Sequence, residues 1–198
     1  MKKTILLFIL ILLGAVSASA QLYRYLDTNQ GLSSRRVIAI EKDTKGYMWF
    51  LTHEGVDRYN GKQFTHYPLS DGNRFIQQPP NLSHLQVDGA GNIWVIGKNG
   101  YIFKYNSHQN KYDLVMNFAD SLQTTRRLPL THASIDRNNQ LWLCTRNSQY
   151  IYQTHNQQIV ELDSPIQEEI TYLEQGEGNN YFVGTNHNIY LAQLNGNH

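Results

Sequence analysis

Short stretches of alternating apolar and polar residues recur along the chain, and each is followed a few residues later by a second such stretch. The first members are Val37–Ile40, Leu82–Val87, His132–Ile135 and Ile170–Leu173. The second members are Tyr47–Leu51, Asn92–Ile96, Gln140–Cys144 and Asn180–Val183. A period of two over four to six residues predicts half-buried strands rather than helices. Between the members of each pair lies Asp43-x-x-Gly46, Asp88-x-x-Gly91 or Asp136-x-x-Asn139. Asp at the first position of a type I turn bonds back to the turn backbone, and Gly or Asn takes a left-handed conformation at low cost. A third strand follows at Val56–Tyr59, Tyr101–Tyr105 and Tyr150–Gln153. Turns at Asn60-Gly61, Asn106-Ser107 and Thr154–Asn156 then lead into a fourth strand at Gln63–Tyr67, Lys111–Val115 and Gln158–Leu162. The last unit has strands near Ile170, Phe182 and Ile189 but no obvious fourth.

The units are copies of one another. Asp43-x-x-Gly46-x-x-Trp49-x-x-Thr52 recurs as Asp88-x-x-Gly91-x-x-Trp94-x-x-Gly97 and as Asp136-x-x-Asn139-x-x-Trp142-x-x-Thr145, with a worn copy in Gly176-x-x-Asn179-x-x-Phe182-x-x-Thr185. The aromatic positions lie 45, 48 and 40 residues apart. Four-stranded antiparallel meanders at that period are the blades of a β-propeller. The predicted fold is therefore all-β, with about four blades over residues 21–198, as part of a larger propeller. Trp49, Trp94 and Trp142 are expected to pack between neighbouring blades.

Composition adds less. Residues 1–20 have the three-part layout of a secretory signal peptide, with Lys2 and Lys3, the apolar run Ile5–Leu13 and the small residues Ala18-Ser19-Ala20. A periplasmic mature chain starting at Gln21 is the expectation. The net charge of +1 carries no argument for nucleic acid. The single Cys144 lies in the run Leu141-Trp142-Leu143-Cys144 and reads as a buried small hydrophobe.

No catalytic motif stands out. The eight histidines are scattered, without His-x-x-x-His, His-Glu-x-x-His or Cys-x-x-Cys spacing, so no metal, cofactor or catalytic residue is predicted. Loops that enter the innermost strands, together with those joining second to third strands, share one face of a propeller and can bind a ligand. The entry loops are Ser33–Arg36, Asn81–His84 and Arg126–His132, and the turns include His53-Glu54, Lys98-Asn99, Arg146-Asn147 and Asn186-His187. Candidate ligand-binding residues are Arg35, Arg36, His53, Glu54, His84, Lys98, Asn99, His132, Arg146 and Asn147. Such side chains can bond sugar hydroxyls or pair with a uronate or sulfate.

The string GLSSRRVIAIEKDTKGYMWFLTHEGVDRYNGKQFTHY, Gly31 to Tyr67, resembles the regulator-propeller repeat. The resemblance is strong over Leu22–Tyr67, fair over Leu82–Val115 and His132–Leu162, and weak from Ile170 onward. It implies the periplasmic sensor region of a hybrid two-component system, recognising an oligosaccharide without being an enzyme itself. It also implies a ring of seven blades, more than this chain holds. Leu22–Leu26 looks like a lone fourth strand. Either it closes a small four-unit ring, or it awaits another blade and leaves open edges that favour self-association; the open arrangement is the expectation taken forward. A propeller enzyme of the streptogramin-lyase or lactonase type, using a divalent metal and His53-Glu54, is the alternative.

Overall fold

Each Asp-x-x-Gly or Asp-x-x-Asn step closes a hairpin whose arms are the predicted strands. In the computed structural model, which describes residues 23–76, 83–122 and 129–194, the strands form four sheets. The first runs β1 (Val37–Lys42), β2 (Met48–Thr52), β3 (Gly55–Tyr59) and β4 (Phe64–Tyr67), antiparallel throughout. The second is β5 (Ser83–Val87), β6 (Ile93–Gly97), β7 (Tyr101–Asn106) and β8 (Lys111–Asn117), followed by the one-turn helix α1 (Phe118–Ser121). The third is β9 (His132–Ile135), β10 (Gln140–Cys144), β11 (Gln149–Gln153) and β12 (Gln158–Leu162). The fourth has three strands, β13 (Ile170–Gln175), β14 (Asn180–Thr185) and β15 (Ile189–Gln193). The fold is that of successive propeller blades. The predicted export segment Met1–Ala20, Leu22, and the loop residues Asn81, Leu82 and Arg126–Leu128 lie outside the described residues.

Three apolar clusters hold the blades together, one at each blade-to-blade boundary. Trp49 packs with Leu51 and Tyr67 of its own blade and with Leu85, Phe103 and Tyr112 of the next. Trp94 joins Ile96 and Phe118 to Leu141 and Tyr152, and Trp142 joins Cys144 to Ile170, Tyr181 and Val183. The tryptophans are 1%, 2% and 6% exposed. Phe182 is the corresponding residue of the fourth blade, and it departs from that pattern at 51% exposed. It points away from Trp142, towards a side that no described blade covers, with Tyr172 and Leu191 exposed beside it.

The Asp–Trp spacing has a second cause beyond the turn. A buried indole N–H needs an acceptor. Asp43 Oδ2 takes the Trp49 Nε1–H at 2.9 Å, Asp88 Oδ2 that of Trp94 at 2.8 Å, and Asp136 Oδ2 that of Trp142 at 3.0 Å. The other oxygen accepts two turn N–H groups in each case, as Asp43 Oδ1 does from Lys45 and Tyr47. In the fourth unit Gly176 and Phe182 replace both partners. Phenylalanine has no N–H to satisfy, so the carboxylate is no longer required.

The first blade also explains its Thr-x-x-Gly step. Thr52 Oγ1 donates to the Gly55 carbonyl at 3.1 Å and accepts from the Glu54 N–H at 3.2 Å. Gly55 has φ +133°, and a Cβ there would stand 2.5 Å from the Tyr67 carbonyl oxygen. Gly55→Ala is expected to cost about 2–3 kcal/mol, read from a urea melt, because both the backbone conformation and the contact resist it. Ahead of β1, the Ser33 N–H and hydroxyl both donate to Asp57 Oδ2, at 2.8 and 2.7 Å. His66 Nδ1 meets the other oxygen at 2.8 Å, so the Gly-Leu-Ser-Ser segment is anchored on β3.

Residues 23–26 join none of the sheets. Arg24 lies over the Tyr59 ring at 5.8 Å and donates to the Gly61 carbonyl at 3.2 Å, at the side of the first blade. Closure of a four-unit ring by this segment is thus not the arrangement found: β15 has one strand neighbour among the described residues.

Candidate functional site

The antiparallel register decides which loops share an end. Ser83 pairs with Gly97, His132 with Cys144, and Ile170 with Thr185, so each inner-strand entry lies beside the turn that follows the second strand. The inner strands β5, β9 and β13 also face one another across an open cavity of about 440 Å³. His84 and Gln86 come from β5, His132 and Ser134 from β9, and Thr171 and Tyr172 from β13, with Lys98 entering from the turn after β6. The far end is lined by Arg137, Glu174 and Gln175.

Three predicted residues therefore converge: His84, Lys98 and His132. His132 is buried, and its Nε2 lies 3.1 Å from Ser134 Oγ. Burial first, then His84 and the Lys98 charge, push its pKa down from the ordinary 6.5 to about 4, against a smaller upward pull from the Thr171 and Leu173 backbone. Burial and then Lys98 push His84 down as well. His84 Nε2 is enclosed and has no hydrogen-bond partner among the described residues. Lys98 forms no ion pair among them.

The His132 environment carries a sign that can be tested. The folded state favours the neutral ring, so the unfolded chain binds the proton first as pH falls. Stability from this group is complete above pH 6.5 and is lost as pH drops towards 4. The loss is expected to approach about 3 kcal/mol, and urea melts of wild type and His132→Asn should differ in their slope across that window.

The other predicted residues do not join this cavity. Arg35 and Arg36 are exposed ahead of β1. His53 and Glu54 occupy the β2–β3 turn of the first blade. Asn99 accepts the Tyr101 N–H at 3.2 Å within its own turn. Arg146 faces Glu169 at 3.7 Å, and Asn147 is exposed beside it. Gln86, Ser134, Arg137, Thr171 and Tyr172 also line the cavity, although turn and entry positions do not single them out. Gln86 with His84, and Ser134 with His132, stand at alternate positions of the inner strands, opposite Leu85, Val87, Ala133 and Ile135, which is the signal that marks them.

Other reactive groups have structural roles. In the Ser33–Asp57–His66 cluster the carboxylate sits between serine and histidine, whereas a nucleophilic relay places histidine in the middle. Burial pushes the Cys144 thiol up to about 12, so it is unreactive in the folded chain. Among the described residues no three His, Cys, Asp or Glu side chains gather to hold a metal.

No family model matches the chain, and neither does any curated protein. Solved structures do. The extracellular domain of the hybrid two-component system protein BT3049 from B. thetaiotaomicron is 19% identical with a TM-score of 0.63, over 87% of this chain and 25% of that one. The β-propeller domain of Myceliophteria thermophila Cps50 (Swd1) gives 14% identity and a TM-score of 0.60, over 89% of this chain and 57% of the other. Virginiamycin B lyase from Staphylococcus aureus gives 14% and 0.54, over 83% and 57%. The chain thus spans a quarter of the length of the two-component extracellular domain. At these identities the likeness is one of fold, which an enzyme, a two-component extracellular domain and a Cps50 domain share.

Proposed function

We propose that this chain is a ligand-sensing propeller segment of an extracytoplasmic two-component receptor, and that it binds a carbohydrate fragment without transforming it. The observation that carries this reading is the convergence of His84, Lys98 and His132 on one cavity between inner strands, where, among the described residues, His84 Nε2 has no hydrogen-bond partner and Lys98 no ion pair. Backbone likeness to the extracellular domain of a hybrid two-component protein supports the receptor setting, and the leader-like layout of residues 1–20 supports export. A cavity of a few hundred cubic ångströms, part polar and part apolar, suits one or two sugar rings, whose hydroxyls take hydrogen bonds and whose faces take Tyr172.

Calorimetry of the full chain against neutral and acidic plant-polysaccharide oligosaccharides tests the reading. At least one is expected to bind, and Lys98→Ala is expected to weaken it about tenfold or more, since a hydrogen bond to a charged group contributes about 1.5–3 kcal/mol. Binding that Lys98→Ala and His84→Ala both leave unchanged would place recognition elsewhere.

A further inference from the structure

We infer that the ligand of this cavity carries an anionic group, a carboxylate or a sulfate on the saccharide, seated between Lys98, His84 and His132. The inference deepens the carbohydrate reading above and rests on it.

Three observations support the inference. Lys98 stands half-buried at the cavity with no carboxylate paired to it among the described residues. His84 Nε2 is enclosed without a partner, which leaves a buried polar atom whose desolvation nothing in the described chain offsets. Lys98 and both imidazoles line the same cavity, and the Lys98 charge acts on both rings without an acid at the entry end to balance it. A neutral hydroxyl satisfies hydrogen bonds but leaves the Lys98 charge unpaired. An anion pairs with that charge and can accept from Lys98 and His84, while His132 Nε2 already faces Ser134 Oγ.

The surrounding charges agree with this placement. On β13, Glu174 takes the Tyr172 hydroxyl, and it lies with Arg137 at the opposite end of the cavity. Asp136 is occupied by the Trp142 and Tyr181 donors and by two backbone N–H groups. The entry end of the cavity is thus lined by cationic or protonatable groups from β5, β9 and the turn after β6, without an acid among the described lining residues.

An anion raises the proton affinity of both rings, so the complex takes up protons and binds more tightly as pH falls. Uronate carboxyls and sulfates both stay ionised at pH 5.5, which leaves the protein groups as the source of the trend.

The test is calorimetry with four probes on the full chain: oligogalacturonate, a sulfated disaccharide, a neutral galactan oligosaccharide of matching length, and inorganic sulfate. The expected result is that one acidic saccharide binds at least about tenfold more tightly than the neutral one and strengthens about threefold or more from pH 7.5 to 5.5. That preference is expected to be lost in Lys98→Ala, a substitution at a half-buried turn position whose folding a thermal melt checks. Lys98→Arg is expected to retain it. Which acidic probe binds separates carboxylate from sulfate. Equal affinity for neutral and acidic saccharides overturns the anionic ligand and leaves carbohydrate binding standing. Inorganic sulfate binding as tightly as the saccharides overturns the saccharide part, and no binding by any probe overturns both.

Discussion

Asp136→Ala is expected to destabilise the chain by about 3–5 kcal/mol, measured as a lower urea midpoint at unchanged m. Its carboxylate accepts from Asn138 N and Gln140 N through Oδ1, each at 2.9 Å, and from Trp142 Nε1 and the Tyr181 hydroxyl through Oδ2, at 3.0 and 2.9 Å. Each donor left buried and unpaired costs about 1–3 kcal/mol, and relaxation or an entering water recovers part of the sum. Tyr181 comes from the fourth blade, so this one residue ties a turn, a core indole and the next blade together. Asp136→Asn retains an acceptor for the turn but turns an amide towards the Trp142 donor. It is expected to cost about half as much. In a double-mutant cycle, Tyr181→Phe should cost clearly less in the Asp136→Ala background than alone, because its hydroxyl has by then lost its acceptor.

The second large effect is a contrast within the repeat. Trp94→Ala is expected to cost about 3–5 kcal/mol, whereas Phe182→Ala at the corresponding position should stay within about 0.5 kcal/mol. Trp94 is buried against Phe118, Leu141 and Tyr152, donates to Asp88, and lies under Lys104 Nζ at 5.0 Å. Phe182 is half exposed, and its neighbours Tyr172 and Leu191 are exposed with it. Parallel thermal melts of the two variants measure the difference. Equal costs would mean that the fourth unit packs as the others do, contrary to the arrangement found.

These two cases also mark what the sequence made legible. The strands were readable because period-two patterning and turn residues agree, and the blades because the Asp–Trp unit recurs. Phe182 shows the boundary of such reasoning. Its place in the repeat was correctly matched, but burial depends on whether another blade lies against it, and no local pattern encodes a neighbour. The Asp-to-indole bond was open to inference from the six-residue spacing, since a buried Trp needs an acceptor within reach. The candidate cavity was legible only in part. Turn positions flagged Lys98, and entry positions flagged His84 and His132, but equally polar turns supplied Arg35, His53 and Arg146, which point elsewhere. The three residues that line the cavity together are separated by 14 and 34 positions in the chain, and only the register of two blades brings them to one end. Leu22–Leu26 resembled a lone fourth strand, yet a strand needs an edge to pair with, and here Arg24 lies over Tyr59 instead.

The central claim is that ligand recognition takes place between the inner strands, at His84, Lys98 and His132. Imidazole nitrogen spectra of the full chain, recorded while a mixture of neutral and acidic plant-cell-wall oligosaccharides is added, address it most directly. The account predicts saturable shifts of the His84 and His132 resonances, absent in Lys98→Ala, with His66 beside Asp57 unmoved. Heat of binding in calorimetry accompanied by stationary His84 and His132 signals would contradict it.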